Sequence, residues 1–204
     1  IPALLVAITV VIQCLAVQMS RYRLSRMNAR PPHHGLALMS GMLAAAAIIL
    51  RLYQNDSAVG VLFMTIMTGC MTLMTLTDAA SCRLPRPFTI MYLISGSAFR
   101  LWQGDWLTGL CSAGFWFLLL LLFRQYTSYR RKTETIGLGD VFLIAGIAIW
   151  SPPGDIPWIV ATAAGGALLY LWCNRQRRIT RELPFGPFLC ASQYAFTFYP
   201  GGLW

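Results

Sequence analysis

The chain has 204 residues, of which 57% are hydrophobic and only 11% charged, with a mean hydropathy of +0.59. That is too apolar for a soluble globular domain, in which roughly a quarter of residues carry charge. The formal net charge of +9 would fit a nucleic-acid binder only if the cations formed a patch on a folded surface, and their distribution along the chain excludes that reading.

A membrane-spanning helix needs about 17 to 25 predominantly apolar residues. Apolar segments of about that length fall at 1–18, 35–50, 58–77, 86–99, 106–123, 136–150, 156–173 and 185–203, the fourth and sixth being short. The pattern predicts an all-α, polytopic integral membrane protein with about eight transmembrane helices, organised as a single membrane-embedded domain over residues 1–204.

The first segment lacks a basic leading region and runs into Arg21, Arg23, Arg26 and Arg30, so it reads as a retained span and not as a signal peptide. Arg51 and Asp56 follow the second. The third closes on Asp78, with Arg83 and Arg86 beyond it, and the fourth leads to Arg100 and Asp105. Arg124, Arg130, Arg131, Lys132 and Glu134 follow the fifth; the sixth carries Asp140 about one turn from its start, and Asp155 follows it. Arg175, Arg177, Arg178, Arg181 and Glu182 separate the seventh from the eighth.

Fourteen of the sixteen cations thus follow odd-numbered segments, with Arg51 and Arg100 assigned to the intervening loops. The excess of cations marks the cytoplasmic side, so both termini face outward. Short basic loops of this kind meet anionic lipid headgroups, and membrane lipids, not nucleic acid, are the expected partners. Trp102, Trp106, Trp150, Trp158 and Trp204 are placed where an outer aromatic belt would lie. Met39, Met42, Met64, Met67, Met71 and Met74 read as adaptable packing.

The same topology puts Asp78, Glu134, Asp140 and Glu182 on the cytoplasmic side and Asp56, Asp105 and Asp155 on the other. An ionisable group at the edge of the bilayer core is costly and marks a functional site by default. Asp78 as a loop charge, and Asp140 as an acid favoured by a helix N-terminus, are the bland alternatives.

The surroundings of these acids favour function. Asp78 is followed six and seven residues later by Leu84-Pro85, Asp140 ends Gly137-Leu138-Gly139-Asp140, and Pro184-Phe185-Gly186-Pro187-Phe188-Leu189 stands near the end. In this order the three segments resemble the signatures of the type IV prepilin peptidases, members of the GxGD class of membrane aspartyl proteases. The resemblance covers roughly residues 70 to 192, with Tyr22-Arg23-Leu24 a fainter match. It implies that Asp78 and Asp140 are the catalytic pair of a prepilin peptidase in the bacterial inner (cytoplasmic) membrane, its active site facing the cytoplasm. The substrate would be a prepilin or pseudopilin whose short basic leader is cut off. No cofactor and no metal are expected.

Carboxylate-based peptide hydrolysis needs one ionised group to activate water and one protonated group to donate to the carbonyl oxygen or the leaving amine. Two neighbouring carboxyls in a site of low dielectric supply this asymmetry by sharing a proton, and their titration belongs to the pair. Gly137 and Gly139 would let a substrate backbone come close to Asp140, or would serve helix packing. Pro184, Phe185, Gly186 and Pro187 cannot all be ordinary helix. They are expected to border the active site, the alternative being a plain loop-to-helix entry with proline in the first turn.

The chain departs from the family pattern at Phe142, where a lysine is frequent, and at Arg86, where asparagine or aspartate is usual. Larger members insert a zinc-binding segment with paired CxxC motifs after the first span and also methylate the new N-terminus. Here that connection, Arg21 to His34, contains no cysteine, and Cys14, Cys70, Cys82, Cys111, Cys173 and Cys190 show no ligand spacing. The expectation is a short form without N-methyltransferase activity. His33-His34 is read as interfacial. Two rival classes remain open: a presenilin-like intramembrane protease, whose Pro-Ala-Leu signature does not follow Asp140 here, and an ion-coupled transporter or pilus-assembly scaffold, although no internal repeat is visible.

Overall fold

The computed structural model describes residues 2–27, 34–53, 57–82, 84–131, 137–173 and 183–198. Arg30, His33, Asp56, Arg83, Lys132, Glu134, Arg175, Arg177, Arg178, Arg181, Glu182 and Trp204 lie outside them. Eight helices are present among the described residues: α1 (Pro2–Arg26), α2 (His34–Tyr53), α3 (Ala58–Ser81), α4 (Arg86–Gln103), α5 (Trp106–Arg131), α6 (Leu138–Trp150), α7 (Ile156–Cys173) and α8 (Gly186–Phe198). Each coincides with one of the eight apolar segments of the sequence. Four contain stretches long and apolar enough to cross a membrane, namely Leu5–Arg26, Ala58–Ser81, Trp106–Arg130 and Ile156–Cys173. The apolar helix α6 is shorter, its 13 residues making about 20 Å at 1.5 Å per residue.

Helix α3 is the axis of the bundle, packed by α1, α2, α4 and α8, while α6 sits between α4 and α5, and α7 leans on α8. A helix apolar on all sides belongs in the interior, and α3 is buried almost continuously from Met64 to Asp78. Met64, Met67, Met71 and Met74 fill the core beside Tyr92, Phe99, Leu143, Ile147, Trp150, Leu189 and Tyr194. Between helices surrounded by lipid the hydrophobic effect supplies little attraction, so close packing and hydrogen bonds hold the bundle. Accordingly, Gln13 Nε2 donates to Thr68 Oγ1 at 3.1 Å and the hydroxyls of Thr9 and Thr65 meet at 3.2 Å, joining α1 to α3. Tyr194 Oη donates to the Thr68 carbonyl oxygen at 3.2 Å, joining α8 to the same helix.

Four expectations change. Arg51 is not a loop residue: it lies in the last turn of α2. Arg100 is not a loop residue: it lies in the last turn of α4 and is 7% exposed. Its Nε donates to the Ile149 carbonyl at 2.8 Å, its Nη2 to the Ser151 carbonyl at 3.0 Å, and its Nη1 pairs with Asp105 at 3.3 Å. The carbonyls at a helix C-terminus lack internal partners, and a guanidinium with several donors meets that need for α6. Trp150 is not part of an aromatic belt: it is fully buried, stacked on Phe99 at 5.3 Å, with Nε1 donating to the Tyr92 carbonyl at 3.1 Å. Trp102, Trp106 and Trp158 are exposed, as a belt requires. The methionines also divide, since those of α3 are core whereas Met39 and Met42 on α2 point away from it.

Candidate active site

Asp78, Asp140 and Gly186 come from the C-terminal end of α3, the N-terminal end of α6 and the N-terminal end of α8, and the chain brings these three ends to one side of the bundle. Helix α3 stops because Cys82 adopts the left-handed conformation, φ 50°, its N–H donating to the Asp78 carbonyl at 2.7 Å. The following Leu84-Pro85 leads into α4, with Pro85 at the cap position.

Asp78 is 4% exposed and its Oδ2 accepts the backbone N–H of Gly186 at 2.8 Å. The four leading amides of a helix have no internal acceptor, and negative charge is favoured there. Asp78 therefore caps α8 from a different helix. The Phe185 carbonyl receives the first amides inside α8, from Phe188 at 3.1 Å and Leu189 at 3.2 Å. Pro187 has no N–H to leave unsatisfied, so its position in the first turn costs nothing. Gly186 is fixed by contact: a Cβ there would stand 2.8 Å from Asp78 Oδ2 and 3.2 Å from Asp78 Cγ. Pro184, Phe185 and Pro187 are half-buried around this entry, and the Phe185 ring packs against the main core.

Asp140 occupies the first turn of α6, with Gly137 as the cap residue. Its carboxyl folds back over that cap, so that a Cβ on Gly137 would lie 3.2 Å from Asp140 Oδ2. Asp140 is half-buried. Gly139 faces the other motif. A Cβ there would stand 2.8 Å from Leu84 Cβ, so the missing side chain admits the Asp78-to-Pro85 segment against α6. The residue six positions after Asp78 and the residue before Asp140 are thus direct neighbours.

The departures noted in the sequence also have places. Phe142 packs on Phe117 of α5 with the rings tilted by 46° and their centroids 5.2 Å apart, and Arg86 is exposed at the start of α4. Arg23 lies over the Phe88 ring at 5.0 Å, and Leu24 is buried, tying the end of α1 to the beginning of α4. Among the described residues no three His, Cys, Asp or Glu side chains converge as a metal site would require.

A family model, the Type IV leader peptidase family, matches residues 65–172. The chain belongs to this leader peptidase family. The matched stretch includes Asp78 and Asp140 and ends before Pro184. Curated relatives include the prepilin leader peptidase/N-methyltransferase of Burkholderia pseudomallei strain 1026b, 33% identical over 175 residues, which cover 80% of this chain and 53% of that protein. The protein of the same description from strain K96243 matches to the same extent. The chain spans about half the length of the curated relatives it matches. No solved structure matches this leader peptidase family member.

Proposed function

We propose that the protein is an aspartic endopeptidase that removes the short basic leader from type IV prepilins or pseudopilins at the cytoplasmic face of the bacterial inner membrane, using Asp78 and Asp140. The observation that carries this reading is the meeting of the motifs that hold the two acids, from distant parts of the chain, with Leu84 against Gly139 and Gly186 against Asp78. A transporter site would not need each acid to sit within a leader peptidase motif.

In this mechanism a water lies between the carboxyls. The ionised member removes its proton as the oxygen attacks the scissile carbonyl carbon, and the protonated member donates to the carbonyl oxygen or the departing amine. The base and acid roles belong to the pair sharing one proton. Amide ends of two helices surround the pair and offset its negative charge. Gly137, Gly139 and the Pro184-to-Pro187 turn shape the floor and rim.

The membrane arrangement proposed with this activity has eight spans and both termini outward, so that the basic loops contact anionic lipids. Leader and loops are both basic, so long-range attraction does not guide the substrate. Its apolar helix docks laterally from the bilayer. The relatives' names add N-methyl transfer to leader cleavage; for this chain cleavage alone is proposed. The connection from Arg26 to His34 is short and contains no cysteine for a zinc-binding segment.

Co-expression with a prepilin, followed by measurement of the product's N-terminal mass, tests the reading. The expected product lacks its leader and carries no added methyl group. Full cleavage by both Asp78→Asn and Asp140→Asn would refute the two-aspartate mechanism.

A further inference from the structure

Asp78 and Asp140 ride on different helices, and something must set the axial register of α6 and α8 against α3. Tyr92 of α4, fully buried, touches both α6 and α8. Its ring covers Gly146 of α6, where a Cβ would lie 2.6 Å from Tyr92 Cδ1 and 2.9 Å from Cε1. Its carbonyl accepts from Trp150 Nε1 of the same helix at 3.1 Å. Its hydroxyl donates to Gln193 Oε1 of α8 at 2.6 Å. Gln193, also fully buried, directs Nε2 to Met67 Sδ of α3 at 3.9 Å.

Gln193 follows Gly186 by seven residues, about two turns, so both lie on one face of α8. That face meets α3 twice, at Asp78 through Gly186 and at Met67 through Gln193. Gly146 follows Asp140 by six residues, about 9 Å along α6. Apolar ridges tolerate sliding, whereas a hydrogen bond holds only within a few tenths of an ångström of its preferred length. Phenylalanine and leucine would fill the same volume without burying a hydroxyl and an amide, groups that are costly in an apolar interior unless paired.

We propose that Tyr92 and Gln193 are positioning residues that lock α6 and α8 against α3 and so set the approach of Asp140 to Asp78. The proposal rests on the peptidase reading. Misplacement of reacting groups by about 1 Å lowers rates by up to about 100-fold, so relaxing this tether acts on turnover and leaves substrate docking intact.

The test measures kcat, KM and thermal stability in detergent for the full chain with a leader-bearing prepilin, comparing wild type with Tyr92→Phe, Gln193→Leu and the double variant. Each single variant strands one buried polar partner and loses stability. The double variant removes both groups and regains it. The expected result is kcat reduced about 10- to 100-fold in all three, with KM within about twofold of wild type. Recovery of kcat together with stability in the double variant would overturn the proposal by reducing the pair to a structural role. Wild-type kcat in Tyr92→Phe, under conditions where Asp140→Asn is inactive, overturns the positioning role alone. A folded wild-type protein that leaves every prepilin uncut overturns the peptidase reading, and this proposal with it.

Discussion

At its N-terminal end α6 presents a half-buried carboxyl, framed by two glycines and turned back over its own cap. At its C-terminal end the same helix is closed by a buried guanidinium on the Ile149 and Ser151 carbonyls and by Trp150 packed on Phe99. The contrast follows from the polarity of the helix. Its leading amides attract an acid, while its trailing carbonyls need donors, which lipid cannot supply. One end keeps a group accessible to water, and the other spends a cation on immobility. A short helix of about 20 Å anchored so firmly at one end transmits that fixity to the acid at the other.

The comparison breaks most sharply at the acids. Asp140→Asn and Asp78→Asn, read by initial rates of leader removal, are each expected to lower cleavage at least about 1,000-fold, within the range for loss of a positioned acid or base. Next is Gly186→Ala, whose Cβ would collide with the Asp78 carboxyl. It should reduce kcat about 10- to 100-fold and, by disturbing the cap of α8, lower stability by about 1 kcal/mol.

At the opposite end the expected effect is on stability. Arg100→Leu leaves the Ile149 and Ser151 carbonyls without a donor and should cost about 3 kcal/mol, seen as a lower melting temperature in detergent. Arg100→Lys should recover only part, because an ammonium is a point charge and cannot replicate the fork that reaches both carbonyls. Asp105→Asn is the smallest change. Its side chain is 50% exposed, so losing the charge should cost less than about 1 kcal/mol; a loss as large as that of Arg100→Leu would move the anchor from the carbonyls to the ion pair.

Hydropathy alone located α1 to α8, because a segment that must satisfy its backbone within lipid has no alternative to helix. It could not say which side of each helix meets a neighbour. Arg100 looked like a loop cation because charge near a span boundary ordinarily lies in solvent, and its carbonyl partners are 49 and 51 residues away. Trp150 looked like an interfacial anchor because depth was the only coordinate available. Met39 and Met67 were indistinguishable by composition, although one is exposed and the other wholly buried. Tyr92 and Gln193 carried no local signal, being single polar residues on apolar helices separated by 101 positions.

By itself the sequence determined the helical class, the apolar segments, the uneven distribution of cations and the acids worth watching, all of which follow from local composition and spacing. Only the tertiary structure decided that Asp78 caps α8, that Gly139 is the seat for Leu84 and that a buried arginine closes α6. Those outcomes depend on contacts between residues far apart in the chain, and a packed interior selects such contacts by shape and hydrogen-bond geometry, which no reading along one strand of residues contains.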